Sequence, residues 1–154
     1  MRGTLKTLTV KLRRVRQAVA DPLPVPRYHS ALAAGMDLRA DIEENLVLRP
    51  LERRAVPTGW ALELPPGFEA QVRPRSGLAL KDGITCLNSP GTIDADYRGE
   101  VQVILINLSS SAVTLQRGDR IAQLVVSEVC RADAVEVAEL TPSDRGPSGF
   151  GSTG

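Results

Sequence analysis

The chain has 154 residues, of which 42% are hydrophobic and 24% charged, a composition typical of one ordinary globular domain. It excludes collagen-like, fibrous and wholly disordered chains. With 19 basic and 18 acidic residues the net charge is +1, so no global field attracts nucleic acid or anionic lipid. No apolar run reaches the roughly 18 residues of a membrane helix. The 13 glycines and 11 prolines indicate frequent turns and therefore short strands.

The start of the chain contains no export signal that we can identify. Residues 18–20 (AVA) resemble a signal-peptidase site, but the preceding KLRRVRQ is charged where a signal peptide needs an apolar core. We therefore expect a cytoplasmic location. Cys86 and Cys130 lie in apolar, strand-like runs, so both are predicted to be reduced core residues.

The first strand is predicted in residues 7–12 (TLTVKL), where Leu8, Val10 and Leu12 alternate with polar residues. A cluster of basic residues overlaps it. Because the net charge is close to zero, this cluster favours a solvated sheet edge over a nucleic-acid patch. Its members are Lys11, Arg13, Arg14 and Arg16.

Further short strands follow between turn residues, and they predict an all-β jelly-roll barrel or sandwich. The segments are MDLRA, LVL, RRAVPTGW, two strands in ALELPPGFEAQVR joined at residues 65–67, ITCLN, EVQVILINL, AVTL and IAQLVVSEV. One short helix is predicted in GLALK, with Ser76 as its N-cap and Gly83 at its end. We predict one domain over residues 1–140 and a flexible Gly-rich arm over residues 141–154.

Several common active sites are excluded by composition. His29 is the only histidine and lies in a Pro-rich segment, so it is interpreted as an exposed loop residue rather than a triad member or zinc ligand. Residues 149–154 match G-x-G-x-x-G, but no helix can follow them, and no Gly-Lys pair offers a Walker A loop. Carboxylates, arginines and a hard metal ion therefore remain for catalysis.

Two segments are candidates for anion binding. Residues 74–79 (PRSGLA) bring Arg75 to the predicted start of the helix, although an ordinary helix with a surface arginine would look the same. The tail combines Arg145 with backbone N–H groups and the Ser152 and Thr153 hydroxyls. It also contains Phe150, an aromatic residue that needs a stacking partner if exposed.

The segment with the most chemistry is residues 88–100 (NSPGTIDADYRGE). Asn88 presents both amide functions, which suit a base edge, and Asp94 and Asp96 are two acids among turn residues. A simple hairpin with aspartates at turn positions is the alternative. Tyr97 favours a ligand-binding role for this segment, because a tight turn does not require a large aromatic ring at that position.

In combination, these segments resemble trimeric-type dUTPases. Five motifs of that family can be read in order, at residues 34–40 (AGMDLRA), 74–79 (PRSGLA), 91–100 (GTIDADYRGE), 117–124 (RGDRIAQL) and 145–154 (RGPSGFGSTG). The resemblance extends from about residue 24 to the end of the chain. Each motif alone is weak, but five in order are highly specific.

The resemblance implies a jelly-roll homotrimer with active sites shared between subunits, which converts dUTP to dUMP and pyrophosphate with Mg²⁺. It implies that Asp94 is the catalytic base and that Asp37 holds the metal through water. Phosphate binding is implied for Arg75, Ser76, Gly77, Gln123, Arg145, Ser152 and Thr153. Uracil or deoxyribose contacts are implied for Asn88, Gly91, Thr92, Ile93, Tyr97 and Phe150.

The chain departs from the family pattern at Ser148, where a glycine is usual, and at the preceding Pro147, so phosphate contacts there are the least secure. Met36 and Trp60 replace aliphatic residues and are interpreted as packing changes. Two other functions are weighed. dCTP deaminases share the jelly roll, but Tyr97 and the intact tail favour dUTPase. A catalytically dead nucleotide-sensing module would have no need of a catalytic base.

Overall fold

The computed structural model describes residues 7–16 and 20–149. Its described part is mostly β with one short helix, which confirms the predicted all-β, jelly-roll-like fold. No helix in these ranges is long and apolar enough to cross a bilayer. The elements are β1 (Lys11–Arg14), β2 (Met36–Arg39), β3 (Leu46–Leu48), β4 (Arg53–Glu63), β5 (Phe68–Arg73), α1 (Ser76–Asp82), β6 (Ile84–Cys86), β7 (Gly91–Ile93), β8 (Glu100–Asn107), β9 (Val113–Leu115) and β10 (Arg120–Glu128).

Two four-stranded antiparallel sheets enclose the core. Their strand orders are β1-β4-β8-β6 and β2-β10-β5-β7, and β3 pairs with β9 in a smaller ribbon. Alternate residues of each strand point inward, so one apolar cluster contains Leu38 and Leu124 of one sheet together with Val56 and Leu105 of the other. The opposite faces of the same strands remain available for polar side chains.

β4 is one 11-residue strand where the sequence analysis predicted two. Its pairing with β8 shifts register between Pro57 and Ala61, and Gly59 there has a φ of +76°. A Cβ on Gly59 would fall 2.5 Å from the Asp41 carboxylate, so this bulge needs glycine for both space and backbone conformation. The bulge keeps the strand continuous across the predicted boundary between Trp60 and Ala61.

The basic N-terminal strand lies at a sheet edge, as predicted. Residues 7–10 precede the strand, so β1 begins later than the alternation suggested, but Leu8, Val10 and Leu12 are half-buried on one side. Arg14 lies over the Trp60 ring at 4.4 Å, which explains how a large indole is accommodated at this position. Lys11 pairs with Glu63 at 2.7 Å and lowers the pKa of that carboxyl group.

The prediction that both cysteines are core residues is right for one and wrong for the other. Cys86 is buried on β6, and burial raises the pKa of its thiol to about 11. Cys130 is free and exposed, because β10 ends at Glu128 and the chain then leaves the body of the domain. The N–H of Val129 donates to the Gly67 carbonyl at 2.9 Å, and residues 130–148 are exposed.

Candidate active site

A carboxylate–arginine pair lies at one edge of the second sheet. Met36 and Leu38 of β2 point into the core, so Asp37 between them points away from it. The Nε of Arg75 donates to Asp37 Oδ1 at 3.0 Å, and its Nη1 donates to the backbone carbonyl of Arg120 at 3.2 Å. These bonds fix the guanidinium of Arg75 beside the start of α1.

The second oxygen of Asp37 has partners that the sequence analysis did not anticipate. Oδ2 lies 3.3 Å from Nη1 of Arg120 and 3.1 Å from Nε2 of His29. His29 is a half-exposed loop residue, as predicted, but it also contacts this carboxylate. One carboxylate therefore faces two guanidinium groups and an imidazole, and the surplus of positive charge suits an anion such as a triphosphate.

This cluster fits a hydrated magnesium ion better than a directly bound one. No group of three or more His, Cys, Asp or Glu in the described ranges could hold a metal. A carboxylate has about four lone-pair sites, and two guanidinium groups and an imidazole already approach Asp37. What is left can accept a hydrogen bond from a metal-bound water, and Mg²⁺ keeps several of its waters.

Gln123 joins the same cluster from β10. It is the register partner of Asp37 on β2 and of Arg73 on β5, and its Nε2 donates to the Pro74 carbonyl at 3.4 Å. A Cβ on Gly35 would lie 2.9 Å from the Gln123 Oε1, so the glycine at that point leaves room for the amide. Predicted residues of the first, second and fourth motifs are thus neighbours.

The short helix begins at Ser76, but that residue is not its cap. The N-cap is Arg75, in an extended conformation and without a side-chain capping bond, while Gly83 ends the helix in the left-handed region as predicted. The prediction of Ser76 as N-cap is therefore wrong by one residue. Ser76 and Gly77 are exposed at the first turn, next to the Arg75 side chain.

The third motif forms a strand and a tight turn. β7 pairs with β5, and Ile93 points inward while Thr92 and Asp94 are exposed. The N–H of Tyr97 donates to the Asp94 carbonyl at 3.2 Å, which closes the turn. In the described part of the chain, no hydrogen bond or ion pair engages the Asp94 carboxylate. Its oxygens can accept a proton or a hydrogen bond from a water molecule.

Asn88 and Gly91 lie close together at the beginning of β7. A Cβ on Gly91 would be 3.1 Å from the Asn88 Nδ2 and 3.5 Å from Val72, so a side chain at this position would push the Asn88 amide outward by a few tenths of an ångström. Asn88 itself is exposed. The strand that contains Gly91 was not predicted, because three residues between turns carry too little periodicity.

Asp94 lines a depression of about 1050 Å³ on the surface of the domain. Thr92, Asp96 and Arg98 contribute to the same wall. The Arg98 guanidinium is held by the Ala95 carbonyl at 2.6 Å and the Tyr97 carbonyl at 3.0 Å, which stabilises the turn. The depression is open to solvent, and both acidic and basic side chains line it.

The two clusters of predicted residues lie at opposite ends of β5. Ile93 is paired with Ala70, and Arg75 follows Ala70 by five residues. Asp94 is one residue further from Arg75 than Ile93 is, so six residues at about 3.3 Å each place the two backbone positions on the order of 20 Å apart. Within one chain, Asp94 and Arg75 therefore belong to separate clusters.

The predicted arm contributes no contact to either cluster in the range described. The hydrogen bonds of residues 143–148 are local, such as Arg145 Nε to the Ser148 carbonyl at 2.8 Å. Gly146 has a φ of +55°, whereas Ser148 does not adopt a positive φ. Phe150, Ser152 and Thr153 lie outside the described residues.

Comparison with known proteins identifies the family. The model described as dUTPase matches residues 21–154. The deoxyuridine 5'-triphosphate nucleotidohydrolase of Anaeromyxobacter sp. is 59% identical over 147 residues, covering 96% of this chain and 98% of the relative. The chain belongs to the dUTPase family. It is accordingly a dUTP diphosphatase, an enzyme that hydrolyses dUTP. The nucleotidohydrolase of Cytophaga hutchinsonii is 62% identical over 130 residues, 84% of each chain.

Solved dUTPase structures share the fold. A Staphylococcus bacteriophage 80alpha dUTPase with dUpNHpp matches with a TM-score of 0.84 and 24% identity, covering 96% of this chain and 99% of the phage protein. A variant from phage phi11 of S. aureus, described for its coordination of a structural Mg(II) ion, matches with a TM-score of 0.75 and 21% identity, covering 87% and 99%.

Proposed function

We propose that this dUTPase converts dUTP to dUMP and pyrophosphate in a Mg²⁺-dependent reaction, with Asp94 as the general base. The observation that carries the proposal is the exposed Asp94 carboxylate, which has no partner in the described part of the chain and lines a depression with Thr92. Asp94 accepts a proton from a water, and that water attacks the α-phosphorus. The P–O bond to the β-phosphate then breaks, and pyrophosphate leaves.

The phosphate chain binds at the cationic cluster. Arg75 and Gln123 contact the phosphate oxygens together with the exposed Ser76 and Gly77, and Asp37 holds Arg75 in place. A magnesium ion held mainly by the triphosphate would supply neutralisation of negative charge on the phosphate oxygens. Asp37 is the residue that would hold it, through a metal-bound water, because two guanidinium groups and an imidazole already approach its carboxylate.

The third motif recognises uracil and deoxyribose. The Asn88 amide and the backbone of Gly91, Thr92 and Ile93 contact the base edge, and Tyr97 packs against the sugar where a 2′-hydroxyl would clash. Support comes from the close approach of Asn88 to Gly91 and from the exposed Tyr97 ring beside Asp94.

Residues 141–154 act as an arm that closes over the bound nucleotide, while residues 1–140 form the domain that carries the site. Arg145, Ser152 and Thr153 bind phosphates, and Phe150 stacks on the base. The exposure of residues 141–148 and their local hydrogen bonding support an arm that is not committed to its own domain.

The functional unit is a homotrimer whose sites are shared between subunits. The separation of Asp94 from Arg75 within one chain supports this, because one triphosphate must meet both groups. Exposed apolar residues after β10 also need a partner surface, and a second copy of the chain supplies one. They are Val135, Val137 and Leu140.

The enzyme works in the cytoplasm, where hydrolysis of dUTP limits uracil incorporation into DNA and supplies dUMP for dTMP synthesis. The two free cysteines, Cys86 and Cys130, are compatible with a reducing compartment.

A substrate test separates this function from the alternatives. The protein is incubated with dUTP or dCTP, each with Mg²⁺ or with excess EDTA, and the products are assayed for pyrophosphate and ammonia. We expect pyrophosphate and dUMP from dUTP only when Mg²⁺ is present. Ammonia from dCTP would point to a deaminase, and binding of dUTP without product would point to a nucleotide sensor.

A further inference from the structure

Gly99 lies against the hydroxyl end of the Tyr97 ring. A Cβ built on Gly99 would overlap the Tyr97 Oη and Cζ atoms and would approach Cε2 to 2.9 Å. Gly99 is not one of the glycines with a positive φ, so its backbone conformation is open to any residue. What requires glycine at this position is the space that the tyrosine ring occupies.

The same ring is held at its tip. The Tyr97 hydroxyl donates to the Glu100 carbonyl at 3.1 Å. Glu100 begins β8, and its Oε1 accepts a hydrogen bond from the Gly59 N–H of β4 at 2.8 Å. The phenol is therefore anchored to the sheet through one residue, although the side chain of Tyr97 is on an exposed turn.

We propose that Gly99 is a specificity-determining positioning residue: by lacking a side chain, it lets the Tyr97 ring lie flat against the turn at the height where a deoxyribose fits and a ribose does not. The inference rests on the sugar contact of Tyr97 in the proposed function. It adds that the contact depends on the position of the ring and not only on its presence. Tyr97 is 46% exposed, so part of the ring stays available to a ligand while its hydroxyl end lies against Gly99.

The Gly99→Ala substitution would displace the Tyr97 ring and break or distort the hydrogen bond from its hydroxyl to the Glu100 carbonyl. A displaced ring would crowd the deoxyribose of dUTP. It would also no longer lie where it excludes a 2′-hydroxyl. We expect Gly99→Ala to lower the ratio of kcat/KM for dUTP to kcat/KM for UTP by about tenfold or more, the scale of one misplaced packing contact. The loss should fall mainly on dUTP, because the site is shaped for that sugar.

A double-mutant cycle tests whether Gly99 acts through Tyr97. The dUTP/UTP ratio is measured for the natural enzyme, Gly99→Ala, Tyr97→Ala and the double variant, with melting temperatures to verify folding. We expect both single variants to lower the ratio and the double variant to match Tyr97→Ala alone. Tyr28→Ala is the matched control, because Tyr28 is 49% exposed and belongs to neither cluster, and its ratio should not change.

The outcomes separate the inference from the function beneath it. The positioning role of Gly99 would be overturned if Gly99→Ala left the dUTP/UTP ratio unchanged. It would also be overturned if the double variant lowered that ratio by the sum of both single effects; in either case the Tyr97 sugar contact stands. An unchanged ratio in Tyr97→Ala would overturn that contact and the inference with it, while dUTP hydrolysis itself stands. If Gly99→Ala does not fold, Tyr97→Phe gives a second test, because it removes only the bond to Glu100 and should lower the ratio in part.

Discussion

Asp37 and Asp94 have the same kind of side chain, but the surroundings of the two carboxylates differ. Asp37 is 12% exposed and faces Arg75, Arg120 and His29, so its charge is compensated and its orientation is fixed. Asp94 is exposed, and no side chain in the described ranges engages it. The first is suited to hold an arginine and a hydrated ion, and the second to accept a proton from water.

This difference predicts the effect of removing the base. Asp94→Asn should keep dUTP binding within a few-fold, because the amide has the same shape, while kcat falls by about 10²–10⁴-fold, since an amide does not take the proton. Binding is measured by calorimetry and turnover by pyrophosphate release. Asp96→Asn, on the same turn, is the matched control and should retain most of the activity. Substantial turnover by Asp94→Asn would remove Asp94 from its assigned role.

Single residues were predictable from sequence where their chemistry is local. The inward alternation around Asp37 and the turn chemistry at Asp94 can be read from neighbouring residues. The contacts of His29 and Arg120 with Asp37 were not predictable, because the sequence does not show that a loop residue 8 positions before Asp37 and a strand residue 83 positions after it meet the same carboxylate. The Arg120 signal was present in the fourth motif, three residues before Gln123, but only the register of β10 on β2 gives it a partner.

At the scale of elements, the strands with long alternation were predicted well and the irregular ones were not. β8 alternates between inward and outward residues over its eight positions, and β10 is a nine-residue apolar strand with a register shift between Arg120 and Ala122; both lie where the apolar runs predict. β4 was divided in two between Trp60 and Ala61, whereas the strand continues there through a bulge, where its pairing with β8 shifts register between Pro57 and Ala61. The prediction that Cys130 is a core residue was wrong for a related reason: the apolar pattern of the sequence continues beyond Glu128, the last paired residue of β10.

The arm is the element whose removal should separate stability from activity. Deleting the residues after Asp144 should leave the melting temperature nearly unchanged, because residues 143–148 bond only locally within the described range. In contrast, kcat should fall by about 10²-fold or more, since a site left open positions the triphosphate poorly. Calorimetric melting and a pyrophosphate assay on the same preparation give both quantities.

A second truncation controls for nonspecific damage. Deleting residues 1–6, which precede the segment matched by the dUTPase family model at residues 21–154, should not produce the same loss of turnover. Full turnover by the chain without the arm would contradict the role of the arm as a lid. A much lower melting temperature of that chain would show that the arm packs on the domain.

For the whole molecule, the distance between Asp94 and Arg75 argues for assembly. A site complete within one chain would need these groups within reach of a single triphosphate, and β5 holds them on the order of 20 Å apart. A closed ring with head-to-tail contacts solves this, because each interface joins one end of a subunit to the other end of its neighbour. The exposed segment after β10 leaves the arm free to reach a neighbouring site as well.

Mixing two inactive chains tests the shared site directly. Asp94→Asn chains and chains truncated after Asp144 are unfolded together in equal amounts and refolded, and mixed trimers are verified by mass spectrometry. If base and arm come from different subunits, a competent site takes its Asp94 from a truncated chain and its arm from an Asp94→Asn chain. Random assembly supplies each with a probability of one half, so about a quarter of the sites should regain dUTP hydrolysis. Chains refolded separately and then combined should stay inactive. If base and arm belonged to one chain, every site would lack one of them, and verified mixed trimers would recover nothing.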